Sequence, residues 1–195
     1  MLSEEKRAQI VDAAVEEFLE RGFAAASMDR IAGRAGVSKR TVYKHFAGKE
    51  ALFHAILEQM AERVAQALDL AYRRGRPIEE QLRALGWAEG RLLLSPDFMR
   101  LARVTLGETL RDRKLAAQTD AKMQQFCTFQ TFIADAQADG ALKPADPAVA
   151  AEQFLAMIKA RAFWPVIFSG VCLSEAEMGK AIDDAVAMFL AGYRP

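Results

Sequence analysis

Apolar residues in this chain recur at intervals of three and four, the period of an amphipathic helix, and no stretch alternates as a strand would. A first helix is expected from about Ser3 to Arg21. Ser3 serves as its N-cap, Glu4 and Glu5 lie in its first turn, and Ile10, Val11, Ala14, Val15 and Phe18 form one stripe. Gly22 is expected to end it, with Phe23 packing back. Ser27 then caps a short helix from Met28 to Ala35, Gly36 stops it, and Ser38 caps a third helix from Lys39 to about Phe46. A fourth helix is expected from near Lys49 to about Arg74, closed by Gly75 and Pro77. Weaker periodicity places helices near 78–94, 97–112, 115–138, 147–169 and 174–192. Pro165 should kink or end the fourth of these, and Ser174 to Glu177 spells a capping box for the last. The predicted fold class is therefore all-α. An N-terminal three-helix domain (residues 1–50) is followed by a helical domain (residues 51–195).

The stretch from Ser27 to Phe46 carries the most specific pattern. Met28, Ile31, Ala32, Ala35, Val37, Val42 and Phe46 can bury two short helices against the first, and Gly36 supplies a sharp turn. This is the layout of a helix-turn-helix, whose second helix enters the major groove of DNA. Left outward on that helix are Lys39, Arg40, Thr41, Tyr43, Lys44 and His45, all hydrogen-bond donors and none acidic. Ser38 to Thr41 lie nearest the base edges. Arg40 suits a bidentate bond to guanine, and Thr41 offers a methyl to thymine. Tyr43, His45 and Lys49 are better placed for phosphates, and Lys49 opens a helix whose free N–H groups attract one.

Charge sharpens the picture. The chain is formally neutral over 195 residues. Yet Arg21 to Lys49 holds seven basic residues against the single acid Asp29, a net +6 that leaves −6 elsewhere. A basic segment on an otherwise acidic protein is the footprint of a polyanion site.

Several runs of residues extend the pattern. They are Ile10-Val-Asp-Ala-Ala-Val-Glu-Glu-Phe18, Gly22-Phe23, Ser27-Met-Asp-Arg-Ile-Ala32, Ala35-Gly-Val-Ser-Lys-Arg-Thr-Val-Tyr43 and His45-Phe-Ala-Gly-Lys-Glu-Ala-Leu-Phe53. In that fixed order they resemble the N-terminal domain of TetR-family transcriptional regulators, over roughly residues 7 to 57. There are two departures from the family pattern. Ala47-Gly48 stands where Pro followed by Ser or Asn is common, and Gly33 weakens the second helix by up to about 1 kcal/mol relative to Ala. The resemblance implies a homodimer on a palindromic operator. It implies DNA contacts at the residues matching Ser27, Ser38, Arg40, Thr41, Tyr43, His45 and Lys49.

The second half has no comparable motif. It is rich in large apolar residues, most of them expected in the core. The resemblance implies a cavity there for a small, hydrophobic or aromatic effector, with Trp87, Phe98, Phe129 and Phe163 as candidate lining. Arg161 would pair either with a ligand carboxylate or with an acid at a dimer seam. The helices near 147–169 and 174–192 are the candidate dimer elements, two from each subunit.

The remaining chemistry is sparse. There are two histidines, and no paired-carboxylate motif, phosphate loop or metal spacing, so neither an enzyme nor a cofactor or metal is expected. Cys127 and Cys172 are expected as buried small hydrophobes. No apolar run reaches the roughly 18–20 residues of a membrane span, and the first residues do not read as a signal peptide, which points to the cytoplasm and no membrane. The expected function is a ligand-responsive regulator, most simply a repressor released by an inducer. The alternatives are an activator or a DNA-binding protein without a small ligand.

Overall fold

The structure, a computed structural model, describes residues 2–113, 115–117, 119 and 128–195. Every regular element among them is a helix. They are α1 (Leu2–Ala25), α2 (Met28–Arg34), α3 (Lys39–His45), α4 (Lys49–Leu68), α5 (Ile78–Leu94), α6 (Pro96–Thr109), α7 (Thr128–Ala138), α8 (Pro147–Ala162), α9 (Trp164–Ser169) and α10 (Glu175–Tyr193). Residues 113, 115–117 and 119 are also helical. The rest of the helix expected over 115–138, with Cys127, lies outside the described residues before α7 begins. The chain divides into two compact units, one of residues 1–61 and 100–124, the other of residues 62–99 and 125–195.

In the first unit, the predicted stripe is the core of α1: Ile10, Val11, Ala14, Val15 and Phe18 are all buried. Two expectations for this helix are corrected. It already includes Leu2 and Ser3, so Ser3 is not its cap. Gly22 kinks it rather than ending it, at φ 72° and ψ 159°, a conformation that L side chains avoid. Helical backbone resumes to Ala25, and its last carbonyls find cations. Lys49 Nζ donates to Phe23 O and Ala24 O, each at 2.8 Å. Arg30 Nη2 donates to Ala25 O at 2.6 Å.

Packing in the second unit centres on α5, α8 and α10, with α7 and α9 against α8. The rings of Phe129, Phe154, Phe189 and Tyr193 follow one another at centroid distances of 5.5, 5.4 and 4.4 Å. Two glycines let α10 approach α5. A Cβ on Gly86 would lie 2.6 Å from Ile182 Cγ2, and one on Gly90 would lie 3.1 Å from Met178.

Helix α4 stops at Leu68, short of the expected Arg74. The reason is a set of long-range bonds. The Gln81 side chain accepts from the Arg73 N–H at 2.7 Å and donates to Arg73 O and Arg76 O. Tyr72 donates its hydroxyl to Asp139 at 2.8 Å and sets its ring edge-on to Phe132. The Gln81 bonds satisfy backbone groups of this segment outside a helix, and Tyr72 anchors it to α7. The helix expected over 147–169 is two helices: α8 ends at Ala162 and α9 carries Pro165 in its first turn.

Ser174 and Glu177 form the predicted capping box at the start of α10. Hydrogen bonds from the Ser174 hydroxyl and N–H hold the Glu177 carboxyl below its usual value near 4.5. That contribution to stability is complete above the ordinary value and is lost as pH falls through the lowered one. Ser174→Ala removes the cap, typically about 1 kcal/mol, which is about 2–4 °C in Tm for a chain of this size. Thermal melts should show this difference at pH 7 and a smaller one at pH 3.5. An equal difference at both would show that the box does not carry it.

Candidate nucleic-acid interface

The geometry from Ser27 to Phe46 is that of a two-helix reader. Ser27 caps α2 by accepting from the Asp29 N–H at 3.2 Å. Gly36 turns the chain at φ 64°. Ser38 caps α3 by accepting from the Thr41 N–H at 3.1 Å, and its hydroxyl lies 2.8 Å from that of Thr41. Ile31, Val42 and Phe46 anchor the pair from inside, with Met28 and Ala32. Ala35 and Val37 are only half-buried, because they sit in the turn at the edge of this small core.

Outward on α3 are Lys39, Arg40, Tyr43 and Lys44, with Tyr43 47% exposed. Thr41, His45 and Lys49 are half-buried beside them, and Ser38 is exposed at the N-terminus. Of the nine predicted contact residues, Ser27 caps α2, Ser38 caps α3, six lie on α3 and Lys49 opens α4, all within one unit.

Their partners differ, and this changes the charge picture. Arg30 Nε meets Glu17 at 2.6 Å, Arg34 forms two bonds to Glu20 at 2.7 and 3.0 Å, and Lys39 meets Asp29 at 2.7 Å. Asp29 holds the Lys39 ammonium above its usual value, first by the hydrogen bond and then by charge. Arg34 holds the Glu20 carboxyl below its own. Lys49 spends its ammonium on the α1 carbonyls and on the face of Phe23, 5.2 Å from the ring centre. Four of the seven cations counted in the sequence thus have internal partners, whereas Arg40 and Lys44 point outward.

The sequence reading missed Glu17. Its side chain is fully buried, and it accepts from the Ser27 N–H at 3.2 Å as well as from Arg30. The signal was present, since Ile10, Ala14 and Glu17 share the i, i+4, i+7 face. Glu108 of α6 was also missed. It is buried, accepts from the Phe23 N–H at 3.2 Å and pairs with Arg111 at 3.0 Å.

The four candidate ligand-lining aromatics sit in different surroundings. Trp87 is half-buried, its ring 3.2 Å from where a Cβ on Gly179 would stand. Phe98 is buried on α6, and Phe129 is buried between Phe132 and Phe154. Phe163 lies edge-on to Trp164. A cavity of about 580 Å³ in the second unit is lined by residues of α5, of α10 and of the two positions after it, among them Glu79, Asp183, Leu190 and Arg194. Arg161 lies 3.8 Å from Asp184 of its own chain. Cys172 is exposed rather than buried, because it follows Gly170 in the loop between α9 and α10. Among the described residues no group of His, Cys, Asp and Glu is placed to hold a metal, and no helix is long and apolar enough to cross a membrane.

Known proteins share this arrangement. The family model described as bacterial regulatory proteins, tetR family, matches residues 10–56. The model described as AefR-like transcriptional repressor, C-terminal domain, matches residues 80–195. The transcriptional activator FasR of Mycolicibacterium smegmatis is 41% identical over 81 residues, 42% of this chain and 37% of that protein. The first curated relatives are matched over only 26–41% of their own length. The transcriptional repressor SCO4008 of Streptomyces coelicolor is 28% identical over 84% of this chain and 80% of its own. Among solved structures, a TetR family regulator from Pseudomonas syringae pv. tomato is 42% identical with a TM-score of 0.88, covering 97% of this chain and 96% of its own. The flavonoid-responsive regulator FrrA is 28% identical with a TM-score of 0.77, and the match covers 98% of both chains. With a helix-turn-helix domain at one end and a family-specific helical domain over more than half its length, the chain belongs to the TetR family of transcriptional regulators.

Proposed function

We infer that the chain acts as a homodimer whose two α3 helices read a palindromic operator, and that a small, hydrophobic or aromatic molecule releases it from DNA. The observation that carries this reading is the outward face of α3, where Arg40, Tyr43 and Lys44 are exposed on a helix with no acid. Two such helices fit adjacent major grooves when they stand about 34–36 Å apart. Ser27, Ser38, Lys39, Arg40, Thr41, Tyr43, Lys44, His45 and Lys49 are the proposed DNA contacts. The reader is residues 1–50, working in the cytoplasm, and residues 51–195 bind the ligand and form the dimer.

For the dimer, the support is the exposed apolar residues on and between the last three helices: Val149, Trp164, Phe168, Val171 and Met188. Trp164 and Phe168 stack at 6.0 Å between ring centres, and exposed apolar groups of this size suit an interaction surface. For the ligand, the support is that FrrA is flavonoid-responsive and similar along nearly its whole length. Trp87, Phe98, Phe129 and Phe163 remain the proposed lining. Helix α6 reaches into the unit that holds the reader, where Glu108 grips the Phe23 N–H. A ligand that favours a different α6 position would lower operator affinity, by no more than its own differential affinity for the two states. Activation is the second reading, favoured by the similarity to FasR.

The test is a fluorescence-anisotropy titration of a duplex from the gene's own upstream region, with wild type and Tyr43→Ala. Salt-sensitive, sequence-selective binding that the substitution weakens supports the reading. No selective binding by a folded, ligand-stripped dimer, here or to a genomic fragment library, overturns it. A reporter driven by the bound promoter decides between repression and activation.

A further inference from the structure

We propose that the buried carboxylate of Glu17 is a positioning residue for DNA recognition: it fixes the seating of α2, and through it α3, against α1. The proposal rests on the operator-reading function above and adds a residue that touches no DNA.

Helix α2 has only seven residues and contains Gly33, too short and too weak to hold itself. Its apolar anchors are Met28, Ile31 and Ala32. Such contacts keep the helix against α1 but are non-directional, so they specify its position poorly. Directional bonds come from three positions on one face of α2, residues 27, 30 and 34. Glu17 Oε1 accepts from the Ser27 N–H at the helix start and from Arg30 Nε one turn on, at 3.2 and 2.6 Å. Arg30 continues to Ala25 O, and Arg34 to Glu20. Glu17 is the inner member of this set, with a fully buried side chain, and Arg34 Nη2 stands 3.7 Å from its second oxygen. That oxygen has no hydrogen bond.

An ion pair between a buried carboxylate and a half-exposed guanidinium is a poor source of stability, since desolvating the carboxylate offsets the attraction. With the Arg34–Glu20 pair it supplies the directional contacts between α1 and α2 that a geometric role requires. Sliding or rotating α2 by a fraction of a turn would break both bonds to Oε1 and leave a buried charge unpaired. Helix α3 is joined to α2 by the four residues 35–38 around Gly36 and by Lys39–Asp29, so its entry into the groove follows.

The test uses full-length dimer and a duplex that the wild type selects from a randomised 30-base-pair pool, against a mixed-sequence duplex of equal length. The readout is the ratio of the two affinities, which uniform electrostatic changes leave unmoved. Glu17→Gln keeps an acceptor for Ser27 and removes the charge, and its ratio should fall by at least about tenfold. Glu17→Met with Arg30→Met should restore the melting temperature to near that of wild type while the ratio stays low, a split that a merely structural pair would not give. A full ratio in Glu17→Gln, or recovery of the ratio with stability in the double variant, overturns the proposal and leaves the reader intact. A wild type that enriches no sequence overturns both.

Discussion

Gly86→Val is expected to destabilise the second unit by about 3 kcal/mol, or about 6–12 °C in Tm. Gly86 faces α10 from the middle of α5, where a Cβ would stand 2.6 Å from Ile182 Cγ2 and 3.4 Å from Ile158 Cδ1. Both isoleucines are fully buried. Isoleucine in a helix holds essentially one χ1 rotamer, so the methyl cannot swing aside. The helices must separate instead, which loosens contacts along their length. Gly86→Ala meets the same atom. Its gain in helix propensity, about 1 kcal/mol, offsets part of the overpacking, typically about 1–3 kcal/mol, so a smaller net loss is expected. Gly107 of α6 provides the opposite case. It is helical and nothing lies within 4 Å of its Cβ position, so Gly107→Ala should stabilise by up to about 1 kcal/mol. Urea melts of the three variants decide this. Loss at both glycines, or at neither, would show that the α5–α10 approach does not set the cost.

The elements legible in the sequence are those whose signals are local. Ser27, Gly36 and Ser38 fix the two short helices because a cap or a left-handed turn is a property of one residue and its neighbours. Ser174 and Glu177 did the same for α10, and Pro165 for the break before α9. The end of α4 was not legible. It depends on Gln81 reaching back to Arg73 and on Tyr72 meeting Asp139, contacts eight and 67 residues apart that periodicity does not encode. The electrostatics were only half legible for a similar reason. Two of the acids that pair the cations, Glu17 and Glu20, lie just before the basic segment, so counting charge from Arg21 onward left them out. The aromatics of the second half have a composition suited to a cavity. Whether a given ring faces space or another ring is a tertiary fact, and Phe129 faces Phe132 and Phe154.

Arg40→Ala and Lys44→Ala should both weaken DNA binding, but in different ways. If Arg40 reads a base, its loss costs about 1–3 kcal/mol per half-site, or about 5- to 150-fold, and flattens the preference at one symmetric pair of positions. If Lys44 meets phosphate, its loss weakens all sequences alike and reduces the salt slope by about 1 per subunit. The slope itself tests the charge picture. Seven free cations per subunit would give a dimer a log–log slope near −13. While Arg30, Arg34, Lys39 and Lys49 keep their partners within the protein, so that Lys39 and Lys49 touch DNA only through uncharged atoms, Arg21, Arg40 and Lys44 remain and the slope is nearer −5. Anisotropy titrations between 50 and 200 mM salt separate the two values. A slope near −13 would mean that the ion pairs to Glu17, Glu20 and Asp29 open when DNA arrives, freeing those cations for phosphate. Glu17 would then let go of Arg30 at the moment of recognition, and the rigid seating of α2 would belong to the free protein alone.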